Sequence, residues 1–127
     1  MIKGLEAILI GSENATILAK FYREVVGLKQ TMSFELGEKG ESGYDFDLKG
    51  ASIYILDHSE IKGKNKQPPR VMFNLEVDDM DKEVARMKKE KVKVVQDTYH
   101  VQDYGLITTF EDPDGNYFQF VQVRQLN

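Results

Sequence analysis

The chain has 127 residues, 41% of them hydrophobic, a net charge of −4 and no cysteine. That length suits one domain or two very small ones, with apolar residues enough for a core. The missing cysteines exclude disulfides, thiolate nucleophiles and cysteine-based zinc sites, and the acidic balance leaves nucleic-acid binding without electrostatic support.

No uninterrupted apolar run is long enough to span a membrane. At the N-terminus Glu6 breaks the apolar run and no small-residue cleavage site follows. A signal peptide is therefore not expected, and a cytoplasmic setting is.

Residues 3–10 read as a strand. Ser12 to Asn14 offer N-caps for a helix with Leu18, Phe21, Tyr22 and Val25 on one face. Gly27 sits where a C-cap belongs. Strands are expected at about 28–35, 43–49 and 51–57. The polar segment 58–70, rich in Lys, Gly and Pro, reads as a solvated connection.

The order then repeats. Residues 71–77 form a strand. Asp78 and Asp79 offer N-caps, and Val84 and Met87 mark the buried side of a helix reaching about Glu90. Lys88, Lys89 and Lys91 suit the negative end of its dipole. Strands follow at about 92–96, 105–111 and 116–123, the last two joined through Asp112-Pro113-Asp114-Gly115. In that turn Pro113 presets φ and Gly115 supplies a positive φ.

The pattern is β-α-β-β-β, link, β-α-β-β-β: two modules, about 3–57 and 70–123, joined by linker 58–70 in one domain. Each copy is too small to bury a good core alone, so the two should pair. The expected fold class is α+β, with the modules forming a curved, mostly antiparallel mixed sheet around a concave pocket.

Alternation divides each strand into two sets. Ile8, Ile10, Ile53, Ile55, Val71, Phe73, Leu75, Phe118 and Phe120 are apolar and should face the helices. The other set is mixed: Leu5, Ala7 and Leu9; Ser52, Tyr54 and Leu56; Met72, Asn74 and Glu76; Tyr117, Gln119 and Val121. A curved sheet would make this set the lining of a small-molecule pocket. The competing reading is a face that simply packs on a partner subunit or on solvent.

A doubled βαβββ chain resembles the vicinal oxygen chelate superfamily, the fold of glyoxalase I and the bleomycin-resistance proteins. Two motifs carry the likeness: Leu18 to Leu28, similar to the family's helix ending in Phe-Tyr and a Leu-Gly pair, and Asp112-Pro113-Asp114-Gly115-Asn116 before the last strand. The family usually ends its second helix with glycine, where this chain has Lys91. A left-handed cap costs a non-glycine residue about 1–2 kcal/mol, so this helix is expected to end differently.

The resemblance implies four inward metal-ligand positions, two per module. Here they fall on Ala7, Tyr54, Met72 and Gln119. Only Gln119 is an ordinary ligand, since alanine has no donor and a thioether suits these divalent ions poorly. Slipping the register by one residue rescues at most Glu6 and turns the apolar set into the cavity. The expectation is a metal-free, cofactor-free member of the superfamily, a homodimer like the bleomycin-resistance branch. Its small-molecule ligand is expected to meet Tyr54, Met72, Asn74, Gln119 and His100.

The rival reading is a metal-dependent lyase, isomerase or dioxygenase with a rearranged site, drawing on Glu6, His58, His100 and Gln119. Asp57 beside His58 belongs to the same possibility. Tyr44, Tyr99, Tyr104 and Tyr117 are candidates for an aromatic clamp, and His100, placed in a loop, is the better acid–base candidate of the two histidines. A third reading is an interaction module. Glu76 is the one inward carboxylate on the strands considered.

Overall fold

In the computed structural model, which describes residues 1–36 and 39–124, the chain divides into two compact units, Met1–Gly63 and Lys64–Asn127. Unit 1 contains β1 (Ala7–Ser12), α1 (Ala15–Lys20), β2 (Gln30–Leu36), β3 (Glu41–Leu48) and β4 (Ala51–Asp57). Unit 2 contains β5 (Phe73–Glu76), α2 (Met80–Lys89), β6 (Lys93–Val101), β7 (Gly105–Glu111) and β8 (Tyr117–Val123). The class is α+β. Each unit holds one four-stranded mixed sheet, ordered β1-β4-β3-β2 in the first and β5-β8-β7-β6 in the second. The outer pairs β1–β4 and β5–β8 are parallel, and the other ladders are antiparallel.

Both helices start in the same way. Asn14 Oδ1 accepts from the Ile17 amide at 3.2 Å, and Asp79 Oδ1 accepts from the Lys82 amide at 3.2 Å. These side chains satisfy amides that have no partner inside the helix. The amide at the first helical position is taken by the last strand. Asp57 Oδ1 accepts from Ala15 at 2.7 Å, and Gln122 Oε1 accepts from Met80 at 2.7 Å. Asp57 Oδ2 also accepts from the Ser42 amide at 2.8 Å, tying the start of β3 into the same junction.

After Lys20 the first helix widens into π-helical turns over Phe21–Val26, and it ends at Gly27, whose φ is 96°. The second helix closes with a Schellman motif: Val92 N donates to Met87 O at 3.1 Å and Lys91 N to Lys88 O at 3.0 Å. That closure needs a left-handed residue, and Lys91 adopts φ 61°. The helix therefore does end on a left-handed cap, against the expectation from its non-glycine residue, because two satisfied carbonyls outweigh the strain.

The helix-facing sets form the cores. In unit 1 Leu18, Ala19, Tyr22 and Val26 are buried, as are Phe46, Ile53 and Ile55. In unit 2 Met80 and Met87 are buried, as are Phe110, Phe118 and Phe120. Phe110 lies 5.6 Å from Phe118 and 5.0 Å from Phe120, centroid to centroid. Burying such a side chain contributes about 1.5–3 kcal/mol. Val71 departs from the expected set: it is 74% exposed, because the Pro68–Arg70 turn delivers the chain to β5 only at Phe73. Leu5 likewise precedes β1 and is exposed.

The Asp112 turn is held by its own first residue. Asp112 Oδ1 accepts from the amides of Asp114 and Asn116, both at 2.9 Å, and Gly115 takes φ 79°. The connection is pinned at both ends rather than merely solvated: Gly63 N donates to Glu13 Oε2 at 2.9 Å, and Asn65 N to Asp114 O at 2.8 Å. No helix among the described residues is long and apolar enough to cross a membrane.

These junctions and the Lys91 cap predict three measurable effects on urea unfolding. Asp57→Ala, which orphans two part-buried amides, should cost about 2–3 kcal/mol, and Gln122→Ala about 1 kcal/mol. Lys91→Gly should raise stability by about 0.5–1 kcal/mol, the relief of left-handed strain less the added chain entropy; a loss would contradict the strained-cap account.

Candidate functional site

Each helix covers one face of its sheet, and the other face presents the mixed set. Residues directly opposite one another in a ladder share a face, so the registers decide which side chains stand together. In unit 1 Tyr54 lies between Leu9 on β1 and Asp45 on β3, and Ser52 pairs with Asp47. Met32 and Phe34 continue this face on β2, opposite Asp45 and Gly43. The Phe34 ring lies over Gly43, where a Cβ would come 2.5 Å from its Cε2 atom. Leu9 and Met32 are 62% and 57% exposed, so the face offers apolar surface beside its charges.

Asp45 and Asp47 were missed in the sequence because β3 alternates weakly. Phe46 between them, packed on the helix side, is the signal that could have placed both on the open face. The Tyr54 hydroxyl donates to Glu6 Oε1 at 2.8 Å. That hydrogen bond raises the phenol's pKa above its ordinary 10.0; desolvation and the charges of Glu6, Asp45 and Asp47 push the same way. One oxygen of Asp45, Oδ1, is buried with no hydrogen-bond partner among the described residues.

In unit 2 Asn74 on β5 is the direct partner of Gln119 on β8, and Gln119 is the direct partner of Thr109 on β7. Gln119 Nε2 donates to Thr109 Oγ1 at 2.8 Å. Asn74 Nδ2 donates to the Tyr104 hydroxyl at 3.2 Å, a bond that reaches from the turn before β7 across β8. Val121 and Ile107 are partners on this face, and Val121 is only 3% exposed despite its place in the mixed set. Met72 is exposed and lies just before β5.

His100 belongs to β6, not to a loop, and pairs with Leu106. Leu106 shares its face with Thr108, whose hydroxyl donates to Met80 Sδ of α2 at 3.3 Å. His100 therefore stands on the helix side of the sheet, away from Gln119. Of the four tyrosines considered as a clamp, Tyr44 is on the helix side of unit 1, hydrogen-bonded to Thr16 at 2.8 Å. Tyr99, opposite Ile107, and Tyr117, opposite Glu111, share the open face of unit 2, and Tyr104 reaches it through Asn74.

The positions at which the resemblance implies a metal do not fit one. Ala7 has no donor atom. Tyr54 is a neutral phenol committed to Glu6, with its ionisation pushed upward. Met72 offers a thioether, and Gln119 only the carbonyl end of an amide already engaged through nitrogen. The alternative ligands fare no better. Both Asp57 oxygens accept backbone amides, and His58 Nδ1 accepts from the Glu60 amide at 3.2 Å. Among the described residues no three His, Cys, Asp or Glu side chains group in a way that could hold an ion.

A family model described as Glyoxalase/Bleomycin resistance protein/Dioxygenase superfamily matches residues 5–120. No curated protein matches in sequence. Several solved structures share the fold. TnmS3, an antibiotic binding protein from Streptomyces sp. CB03234, superposes with a TM-score of 0.76 at 22% identity, covering 97% of this chain and 98% of its own. A glyoxylase/bleomycin resistance protein/dioxygenase domain from Frankia sp. EAN1pec gives 0.79 at 18%, covering 98% and 100%. The trypanothione-dependent glyoxalase I of Leishmania major gives 0.72 at 18%, covering 91% and 84%.

The Tyr54–Glu6 pair makes a pH prediction. A raised folded-state pKa means the folded chain holds the phenol proton more tightly than the unfolded chain. The resulting stabilisation is complete below the ordinary value of 10.0 and disappears as pH rises through the raised value. In a residue-resolved nuclear magnetic resonance titration of the folded protein, Glu6→Gln should bring the Tyr54 transition down toward that ordinary value. An unchanged titration would disprove the coupling.

Proposed function

The chain belongs to the glyoxalase/bleomycin resistance protein/dioxygenase superfamily, and on that premise we propose that it binds a small organic molecule without a metal ion. The observation behind this reading is the donor set: a methyl group, an engaged phenol, a thioether and one amide occupy the four positions at which the resemblance implies a metal. Such a set cannot generate a metal hydroxide or polarise a substrate oxygen pair. Within each unit the open strands carry apolar residues with a few oriented polar groups, which suits ligand binding.

The residues assigned to binding are Tyr54, Met72, Asn74 and Gln119, on or beside the open strands. His100, on the other face of its sheet, is left out of the set. That TnmS3 is an antibiotic binding protein supports ligand binding as one use of this fold. A homodimer and a cytoplasmic location complete the reading, on resemblance and composition respectively. The metal-dependent alternative draws on Glu6, His58, His100 and Gln119. No observation favours it, since His100 and Gln119 face opposite ways and Glu6 is held by Tyr54.

Elemental analysis tests the reading. Protein washed with chelator should hold no stoichiometric manganese, iron, nickel or zinc, and its melting temperature should not rise when these ions are restored, because an ion that binds only the folded state would stabilise it. One tightly retained divalent ion per chain would overturn the proposal.

A further inference from the structure

The open face of unit 2 carries a pair of preset hydrogen-bond acceptors. Asn74 and Gln119 are register partners on adjacent strands, so their backbones run about 4.8 Å apart and their side chains stand side by side. Each amide is oriented by donating through nitrogen, Asn74 to Tyr104 and Gln119 to Thr109. With nitrogen turned to the hydroxyl, each amide presents its oxygen to the open side. Neither Asn74 Oδ1 nor Gln119 Oε1 accepts a hydrogen bond from any described residue.

A charge sits beside the pair. Glu76 lies two residues beyond Asn74 on β5, hence on the same face. It is exposed and has no ion pair among the described residues. Glu111, on the same face, is by contrast paired with Lys93 at 3.6 Å. Tyr99 stands exposed on this face and pairs with Ile107, which is buried.

The geometry points to a planar nitrogen cation as the group received here: an amidinium or guanidinium on an apolar body, one N–H on each amide oxygen, Glu76 supplying the counter-charge. This rests on the small-molecule binding proposed above and names the chemistry of the ligand. The planar fork carries several N–H donors on one rigid frame, so it can serve two separate acceptors at once. An ammonium group is a point charge without that fork, and a carboxylate would set lone pairs against lone pairs. A neutral ligand would draw no attraction from Glu76.

The test is a titration of the isotopically labelled full chain with benzamidine, benzylamine, benzoate and benzyl alcohol, read by nuclear magnetic resonance. Benzamidine is expected to shift the side-chain amides of Asn74 and Gln119 and to bind about tenfold more tightly than the other three. Gln119→Leu and Asn74→Leu should each weaken benzamidine about tenfold and benzyl alcohol by much less, and Gln119→Glu should tighten benzamidine. Spectral dispersion checks that each variant is folded.

Equal benzamidine affinity in wild type and both leucine variants, with probes still shifting open-face resonances, overturns the cation inference and spares the binding proposal. If no probe shifts any open-face resonance, both fall.

Discussion

The first backbone amides of a helix have no acceptor within the helix. In this chain the last strand of each sheet supplies one: Asp57 to Ala15 in unit 1, Gln122 to Met80 in unit 2. In both units the acceptor follows the amide it serves by 42 residues. The bond locks the helix start against the sheet's parallel pair, so the helix covers one face and leaves the other open. The large apolar residues then have one place to go, under the helix. Polar side chains of the same strands project to the other side because successive residues alternate. The open face is thus a consequence of where the helix is anchored.

The two anchors differ in chemistry. Asp57 bonds two amides and draws the start of β3 into the junction, whereas Gln122 bonds one. The open faces differ as well. In unit 1 a phenol sits among three carboxylates, and its proton is held more tightly for it. In unit 2 two amides are oriented by two hydroxyls. One architecture, used twice, therefore presents a phenol among carboxylates on one sheet and a pair of amides beside Glu76 on the other. Tyr54 and Gln119 play corresponding parts, each being the β4 or β8 residue facing its neighbour on the parallel strand.

A fold shared by an antibiotic binding protein and a glyoxalase I does not select between binding and catalysis. The choice lies in a few side chains on the open strands. Here Ala7, Tyr54 and Met72 are poor metal donors, and Tyr54, Asn74 and Gln119 are each engaged with a neighbour in their own unit. Such engagement orients groups before a ligand arrives, which lowers the ordering cost of binding.

Much of this was legible in the amino-acid order because it is local. The alternation of Ile53 and Ile55, and of Phe118 and Phe120, identifies the buried faces. Gly27 and Asp79 mark helix ends through backbone preference and capping, and the Asp112–Asn116 turn folds on bonds to its own first carboxylate. What depended on partners distant in sequence was not legible. The largely polar residues 97–101 become strand because β7 supplies their pairing, and that pairing turns His100 to the helix side. Lys91 takes a left-handed φ because two helix carbonyls need the closure. Asp45 meets Tyr54, and Tyr104 meets Asn74, only once strand order and register are set. Periodicity and turn chemistry are properties of neighbours along the chain; which polar groups face one another is a property of pairing across it, and only the tertiary structure decides that.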